Sequence, residues 1–245
     1  RMAEDLDVTL VRRGSFLASI AAARRAVAVA GTSGKSTVTA MVAHVFHREG
    51  LDPSFMGGGA AVDLPGAIPP GSLRLGASDW FVVETDESDG SVAEFAPSVS
   101  VLTNLSRDHK EVEETARNFG RLLAQTRDAV VLHVGDPPLQ TVAIPPGLGV
   151  IRVAVEGHST WAEPDLVARH VSLTATGVSF DVEGVRVTVP FPGRLTVENA
   201  LHAVAAGVAA GIPLERAAAS LADFAGVRRR LERVGEPGGV DVFDD

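Results

Sequence analysis

The strongest constraint on the fold of this chain lies between Val27 and Thr37. Val27-Ala28-Val29-Ala30 is a short apolar run, and Gly31-Thr32-Ser33-Gly34 is a tight turn with two glycines. Lys35-Ser36-Thr37 then opens a helical pattern that continues to about Glu49. A strand that feeds a helix through so short a loop commits the chain to an α/β architecture, because the helix must return over the sheet its strand joins. The glycines let backbone N–H groups turn inward around an anion. The helix offers its positive N-terminal end to the same place. In such a loop Lys35 reaches the outer phosphates of a nucleotide, and Ser36 or Thr37 touches a magnesium ion. The full P-loop pattern wants a glycine where Val29 stands, so this is a shortened variant. The bland alternative is a plain strand-to-helix turn with a solvated Lys35.

The rest of the chain is compatible with that fold. Its 245 residues allow one large domain or somewhat more, and a hydrophobic content of 45% suffices for a core. Aromatics are only 5%, which suits small-residue packing between strands and helices. A net charge of −9 argues against a nucleic-acid groove. The absence of cysteine excludes disulfides and thiolate metal sites. No apolar run is long enough for a membrane span, and acidic residues interrupt the N-terminus where a signal peptide would be apolar. A cytoplasmic protein is the default expectation.

Along the chain, residues 1–25 read as a lead-in with Leu10, Val11, Phe16, Leu17 and Ile20 on one helix face. Phe55-Met56-Gly57-Gly58-Gly59 allows a close backbone approach to a ligand or is simply a flexible turn. The Pro- and Gly-rich stretch 63–79 reads as a surface loop. Trp80 to Glu84 is a second buried strand, and it ends in Glu84, Asp86, Glu87 and Asp89. Ligands bind at the carboxyl ends of strands in α/β sheets, so these carboxylates are candidate magnesium ligands; the alternative is a solvated loop. A third strand over 98–102 runs into Asn104 to Lys110, where His109 is a candidate metal or phosphate ligand or a structural histidine. Glu111 to Arg127 is helical with Phe119, Leu122 and Leu123 inward, and Ala129 to His133 is a fourth strand. Four short runs between Gly149 and Val189 read as a small antiparallel β patch at the edge of a mostly parallel sheet flanked by helices. Helices follow over 197–210 and 214–224, and then Arg228-Arg229-Arg230 forms a basic triplet. The abrupt first strand, and a last strand that reads as cut off, raise the expectation of a fragment.

Several of these stretches together resemble the Mur ligase family, ATP-dependent ligases that add amino acids or peptides to the UDP-N-acetylmuramate precursor of peptidoglycan. Gly31 to Thr37 looks like the family's GT-x-GK-[ST]-[ST] loop. Glu84-Thr85-Asp86-Glu87-Ser88-Asp89-Gly90-Ser91 is similar to a stretch of the branch that adds L-alanine. Thr103 to His109 matches TN-x-x-x-DH, Gly226 to Glu232 resembles GV-x-RR-x-E, and Asp244-Asp245 resembles the start of DDYAHHP.

The resemblance implies an ATP-dependent, ADP-forming ligase that joins an amino acid or peptide to a UDP-N-acetylmuramate-type carboxylate through an acyl phosphate, with ATP and Mg2+ as cofactors. It implies a linker over 1–25, a central ATP-binding domain over 26–235 and the stub of a further domain over 236–245. By the same carry-over, Gly31, Thr32, Ser33 and Gly34 cradle phosphate, Lys35 holds the γ-phosphate, and Ser36 or Thr37 binds the first Mg2+. Glu84 and His109 bind metal at the acyl-phosphate site. Asn199 meets adenine, Arg230 approaches the phosphates and Asp245 the ribose. The sequence departs from the pattern where the family's G-x-HN-x-x-N reads Gly193 to Asn199 with Leu195-Thr196 in place of HN. Lys110-Glu111-Val112 follows His109, and no lysine follows Lys110 to be carbamylated. Two other readings stay open: another P-loop NTPase or kinase, which would carry the full loop, and a non-catalytic nucleotide-binding relative, which Leu195-Thr196 favours.

Overall fold

The structure is a computed structural model, and it describes residues 9–62, 64–107, 111–240 and 242–245. It is built outward from β1 (Arg25–Ala30), in which every residue after Arg25 is buried. Residues alternate across a strand. Val27 and Val29 therefore join one core, under α2 (Lys35–Arg48) and α4 (Leu195–Ala209). Ala26, Ala28 and Ala30 join the other, with α1 (Arg13–Ala22) and α3 (Val112–Gln125). A strand buried on both faces is the mark of a parallel sheet covered by helices.

The other strands are β2 (Ser54–Met56), β3 (Ala67–Ile68), β4 (Leu73–Arg74), β5 (Trp80–Glu84), β6 (Val99–Leu102), β7 (Ala129–His133), β8 (Gly149–Val155), β9 (Leu166–Leu173), β10 (Val178–Val182) and β11 (Val185–Val189). Among the described residues they form one sheet in the order β11-β10-β9-β8-β7-β6-β1-β5-β2-β4-β3. From β9 to β2 every neighbouring pair is parallel. Antiparallel strands occur at both margins, β10 and β11 on one side and β4 and β3 on the other. A separate ribbon pairs β12 (Glu232–Gly235) with β13 (Val242–Asp244). The expected α/β fold is therefore present, and no helix among the described residues is long and apolar enough to cross a membrane.

Four local expectations need correction. The run at Gly149 to Val155 is not part of the antiparallel patch: it pairs parallel with β7 and β9. Its end, Val153-Ala154-Val155, is a continuous buried run typical of an interior parallel strand. Only β9 to β11 form the patch. Leu10, ahead of α1, and Phe16 on it are exposed, and the buried stripe is Gly14, Leu17, Ala18 and Ala21. A Cβ on Gly14 would lie 2.2 Å from Ser91 Oγ, so close approach to the turn at Ser91 to Glu94 requires glycine at that position. The stretch 63–79 holds the β3–β4 hairpin, fastened by Arg74, which donates to the Pro65 carbonyl at 2.7 Å and pairs with Asp52. Finally, the helix after Pro213, α5 (Leu214–Ala219), stops early and continues as tight i→i−3 turns at Leu221, Ala222 and Phe224.

Two buried histidines make the stability of the core depend on pH. His133 at the end of β7 and His202 on α4 meet edge to face at 5.4 Å, both are buried, and the Nε2 atom of each lacks a hydrogen-bond partner. Burial holds both rings neutral: His133 is pushed down to about 3, helped by the His202 and His158 charges, and His202 to about 4. The unfolded rings take up protons below about pH 6.5 and the folded ones do not. Stability is therefore retained above that pH and falls as pH drops, by up to about 1.4 kcal/mol per pH unit for each histidine. Burial pushes the Glu198 and Asp136 carboxyls up, and these act in the opposite sense. His133→Phe keeps the aromatic contact and removes one proton site. It is expected to flatten the loss between pH 6.5 and 5 seen in urea midpoints, and an unchanged slope would show that His133 does not titrate on unfolding.

Candidate active site

The loop between β1 and α2 is shaped by its two glycines and by the strand beside it. Gly31 has φ +145°, and a Cβ there would lie 2.0 Å from Thr103 Oγ1. Gly34 is left-handed with φ 81° and caps α2 with no side-chain hydrogen bond, so the first helical amides have no side-chain partner. The helix has no acidic side chain of its own in the first turn. Asn104, just past β6, clasps the loop from below. Its Oδ1 accepts from Thr32 Oγ1 and Ser33 N, each at 2.9 Å, and its Nδ2 donates to the Ser33 carbonyl at 3.0 Å. Thr103 Oγ1 donates to the same carbonyl at 2.8 Å. The cradle is therefore preorganised by the neighbouring strand end.

Lys35 folds back over this cradle. Its Nζ donates to the Gly31 carbonyl at 2.7 Å and pairs with Glu87 Oε1 at 2.9 Å. Ser36 Oγ donates to Glu84 Oε1 at 3.2 Å, and the Gly58 amide donates to Glu84 Oε2 at 2.6 Å. The triple glycine thus approaches the acidic strand end closely: a Cβ on Gly58 would fall 2.6 Å from the Glu84 carboxylate. Asp86 closes a turn by accepting from Ser88 N and Oγ. Burial opposes its charge, but those bonds and the Lys35 and Arg13 charges hold its carboxyl below the usual range.

Two cavities meet at these side chains. One, of about 350 Å³, is lined by the loop, Ser36, Thr37, Asn199, Arg230 and Asp245. The other, of about 310 Å³, is lined by Arg13, Gly58, Asp86 and Glu87. Lys35 and Glu84 line both. In the larger cavity Asn199 projects from α4 over Gly34, whose added Cβ would lie 2.7 Å from Asn199 Oδ1. Asp245 accepts from the Leu231 amide at 3.0 Å. Leu195 is exposed on the same wall, and the Thr196 hydroxyl is spent on the Pro192 carbonyl at 2.8 Å.

The residues named from the sequence thus converge: Thr32, Ser33, Gly34, Lys35, Ser36, Thr37, Glu84, Asn199, Arg230 and Asp245 line one cavity, and Gly31, outside its lining, accepts from Lys35 through its carbonyl. His109 lies outside the described residues. A hydroxyl beside a carboxylate, Ser36 and Glu84, is an oxygen donor set suited to a hard cation such as Mg2+. Thr37 is buried, whereas the Ser36 hydroxyl already faces the Glu84 carboxylate, so Ser36 is the better placed of the two. No cluster of three or more His, Cys, Asp or Glu ligands occurs among the described residues. Sequence reasoning missed the clasp by Asn104 and the pairing of Glu87 with Lys35. The signals for Asn104 in the sequence were its place just past a strand end and within the Thr103–His109 match.

Comparison with known proteins shows the family and the fold. A sequence model of the Mur ligase middle domain matches residues 29–207. A UDP-N-acetylmuramate–L-alanine ligase of Rhodospirillum centenum is 36% identical over 97% of this chain and 51% of its own length. One of Streptomyces avermitilis is 37% identical over 99% of this chain and 53% of its own. The chain spans about half the length of the curated relatives it matches. Among solved structures, the UDP-N-acetylmuramate–alanine ligase of Thermotoga maritima superposes over 100% of this chain and 56% of its own. Its TM-score is 0.83 at 24% identity, a likeness of fold. A murein peptide ligase of Psychrobacter arcticus gives 0.78 at 25% identity, covering 100% of this chain and 56% of its own.

Proposed function

The chain belongs to the Mur ligase family, whose middle-domain model matches its residues 29–207, and on that premise we propose that it is the nucleotide-binding part of an ATP-dependent, ADP-forming carboxylate–amine ligase of peptidoglycan precursor synthesis. The observation that carries the proposal is that Lys35 and Glu84 line two cavities at once. A ligase of this kind must bring two anions together, a carboxylate and the terminal phosphate of ATP. A cation and a metal-binding carboxylate at the junction suit that task, while positioning supplies much of the rate. Gly31 to Gly34 and the open end of α2 would receive the phosphates, Lys35 the terminal one, and Ser36 with Glu84 would hold Mg2+. Bound there, Mg2+ would neutralise charge developing on the transferred phosphoryl group. Asn199 would meet adenine and Asp245 the ribose, while Arg230 would approach the phosphates. UDP-N-acetylmuramate as acceptor and L-alanine as amine are the substrates named for the relatives, and we carry them over on that ground. The division into a linker over 1–25, a nucleotide-binding body over 26–235 and a lead into a further domain over 236–245 belongs to the same proposal, as does a cytoplasmic setting.

The test is phosphate release by the full-length protein with ATP, Mg2+ and UDP-N-acetylmuramate, with and without a panel of amino acids and peptides. Release that requires both the UDP-sugar and one amine is the expected result. A second reading, a nucleotide-binding relative without turnover, is favoured by Leu195 and by the Thr196 hydroxyl bound to Pro192. ATP binding with no release under any combination would select it.

A further inference from the structure

Resting on the nucleotide reading above, we propose that Glu87 is a positioning residue that holds the Lys35 ammonium and gives it up to an incoming triphosphate. An ammonium carries three donors. Here Lys35 Nζ lies 2.7 Å from the Gly31 carbonyl, 3.4 Å from the Thr32 carbonyl and 2.9 Å from Glu87 Oε1, so its donors turn inward on the loop. A bound phosphate must displace at least one of them, and the carboxylate is the acceptor that competes by charge.

Glu87 is built for that competition. It is 5% exposed, and its second oxygen, Oε2, is buried with no hydrogen-bond partner. Lys35 is thus its close counter-charge, and the pair is short and shielded from water. The backbone that carries Glu87 is tied to β1, since the Thr85 amide and hydroxyl both donate to the Val29 carbonyl at 3.0 Å. Glu87 therefore cannot follow the lysine far when the lysine turns to a phosphate. The triphosphate takes the carboxylate's place as partner, and its own charge is repelled by Glu87 until Lys35 and the metal compensate. Affinity for nucleotide is weakened in exchange for a lysine held in one rotamer at the mouth of the loop.

The experiment is titration calorimetry on the full-length protein with ATP–Mg2+ alone and with inorganic triphosphate–Mg2+, alongside steady-state turnover. Glu87→Gln is expected to bind both ligands about tenfold more tightly while kcat falls, a split between KM and kcat that a merely structural residue would not produce. Glu87→Asp restores the charge and is expected to bring the affinity back toward wild type. Should Glu87→Gln not fold, Glu87→Met, apolar and of similar volume, is read the same way. A folded variant that binds triphosphate equally or more weakly overturns the parking role while leaving the nucleotide site in place. A wild-type protein that binds neither ligand overturns the nucleotide reading itself, and the parking role with it.

Discussion

Replacing Lys35 with methionine in the full-length protein is expected to lower kcat by at least about a thousandfold, because preorganised charge facing a developing anion contributes more than most other effects to phosphoryl transfer. The same change should destabilise the fold. It strips the partner from Glu87, whose side chain is 6% exposed and whose Oε2 is already unpartnered. Breaking a buried pair from one side costs about 3–5 kcal/mol, and the partial exposure of Lys35, 16%, points to the lower end. Adding Glu87→Gln to Lys35→Met removes the stranded charge, so the double variant should regain much of the stability and none of the activity. Urea unfolding of the single and double variants reads the first effect, and phosphate release reads the second. Wild-type turnover in Lys35→Met would remove this lysine from the reaction. Equal stability of the two variants would mean that the charges are not coupled.

Gly31→Ala is the second large effect. The new Cβ would lie 2.0 Å from Thr103 Oγ1 and 3.2 Å from the Asn104 backbone, at a φ of +145° that side chains rarely adopt. Thr103 cannot retreat, since it is buried at the end of β6 and its hydroxyl holds the Ser33 carbonyl. Strain and overpacking together should cost about 3 kcal/mol or more, a fall in Tm of about 6–12 °C for a domain of this size. Gly50→Ala serves as the control. Gly50 also has positive φ, +75°, but a Cβ there meets nothing within 4 Å, so only backbone strain of about 1–2 kcal/mol applies. Similar losses at the two positions would show that the close approach of β6 to the loop does not govern the cost.

The difference between these two glycines illustrates what could be read in advance. Both are glycines in loops, and nothing local tells which one faces a neighbouring strand. In the same way Glu87 stood out as one of four acidic residues from the end of β5 onward, but not as the partner of Lys35. Asn104 stood out as part of a polar strand end, but not as the clasp of the loop. Lys35, Ser36 and Glu84 were nevertheless legible from local pattern, a glycine turn, a helix start and a strand end, whereas Asn199, Arg230 and Asp245 were named through the family resemblance.

The sequence by itself determined the α/β class, the central strands, the glycine loop with Lys35 and Ser36, and the acidic strand end at Glu84. Those features rest on hydrophobic runs and turn chemistry, which act over a few residues. Only the tertiary structure decided that β8 runs parallel between β7 and β9, that α1 buries Gly14 and Ala18 rather than Phe16, and that Asn104 and Glu87 close on the loop. The physical reason is range. Strand direction, helix rotation and ion pairing are set by which distant surface a segment meets and how closely it can approach. For Gly14 that surface is the Ser91 side chain, and for Lys35 it is a carboxylate held by a different strand.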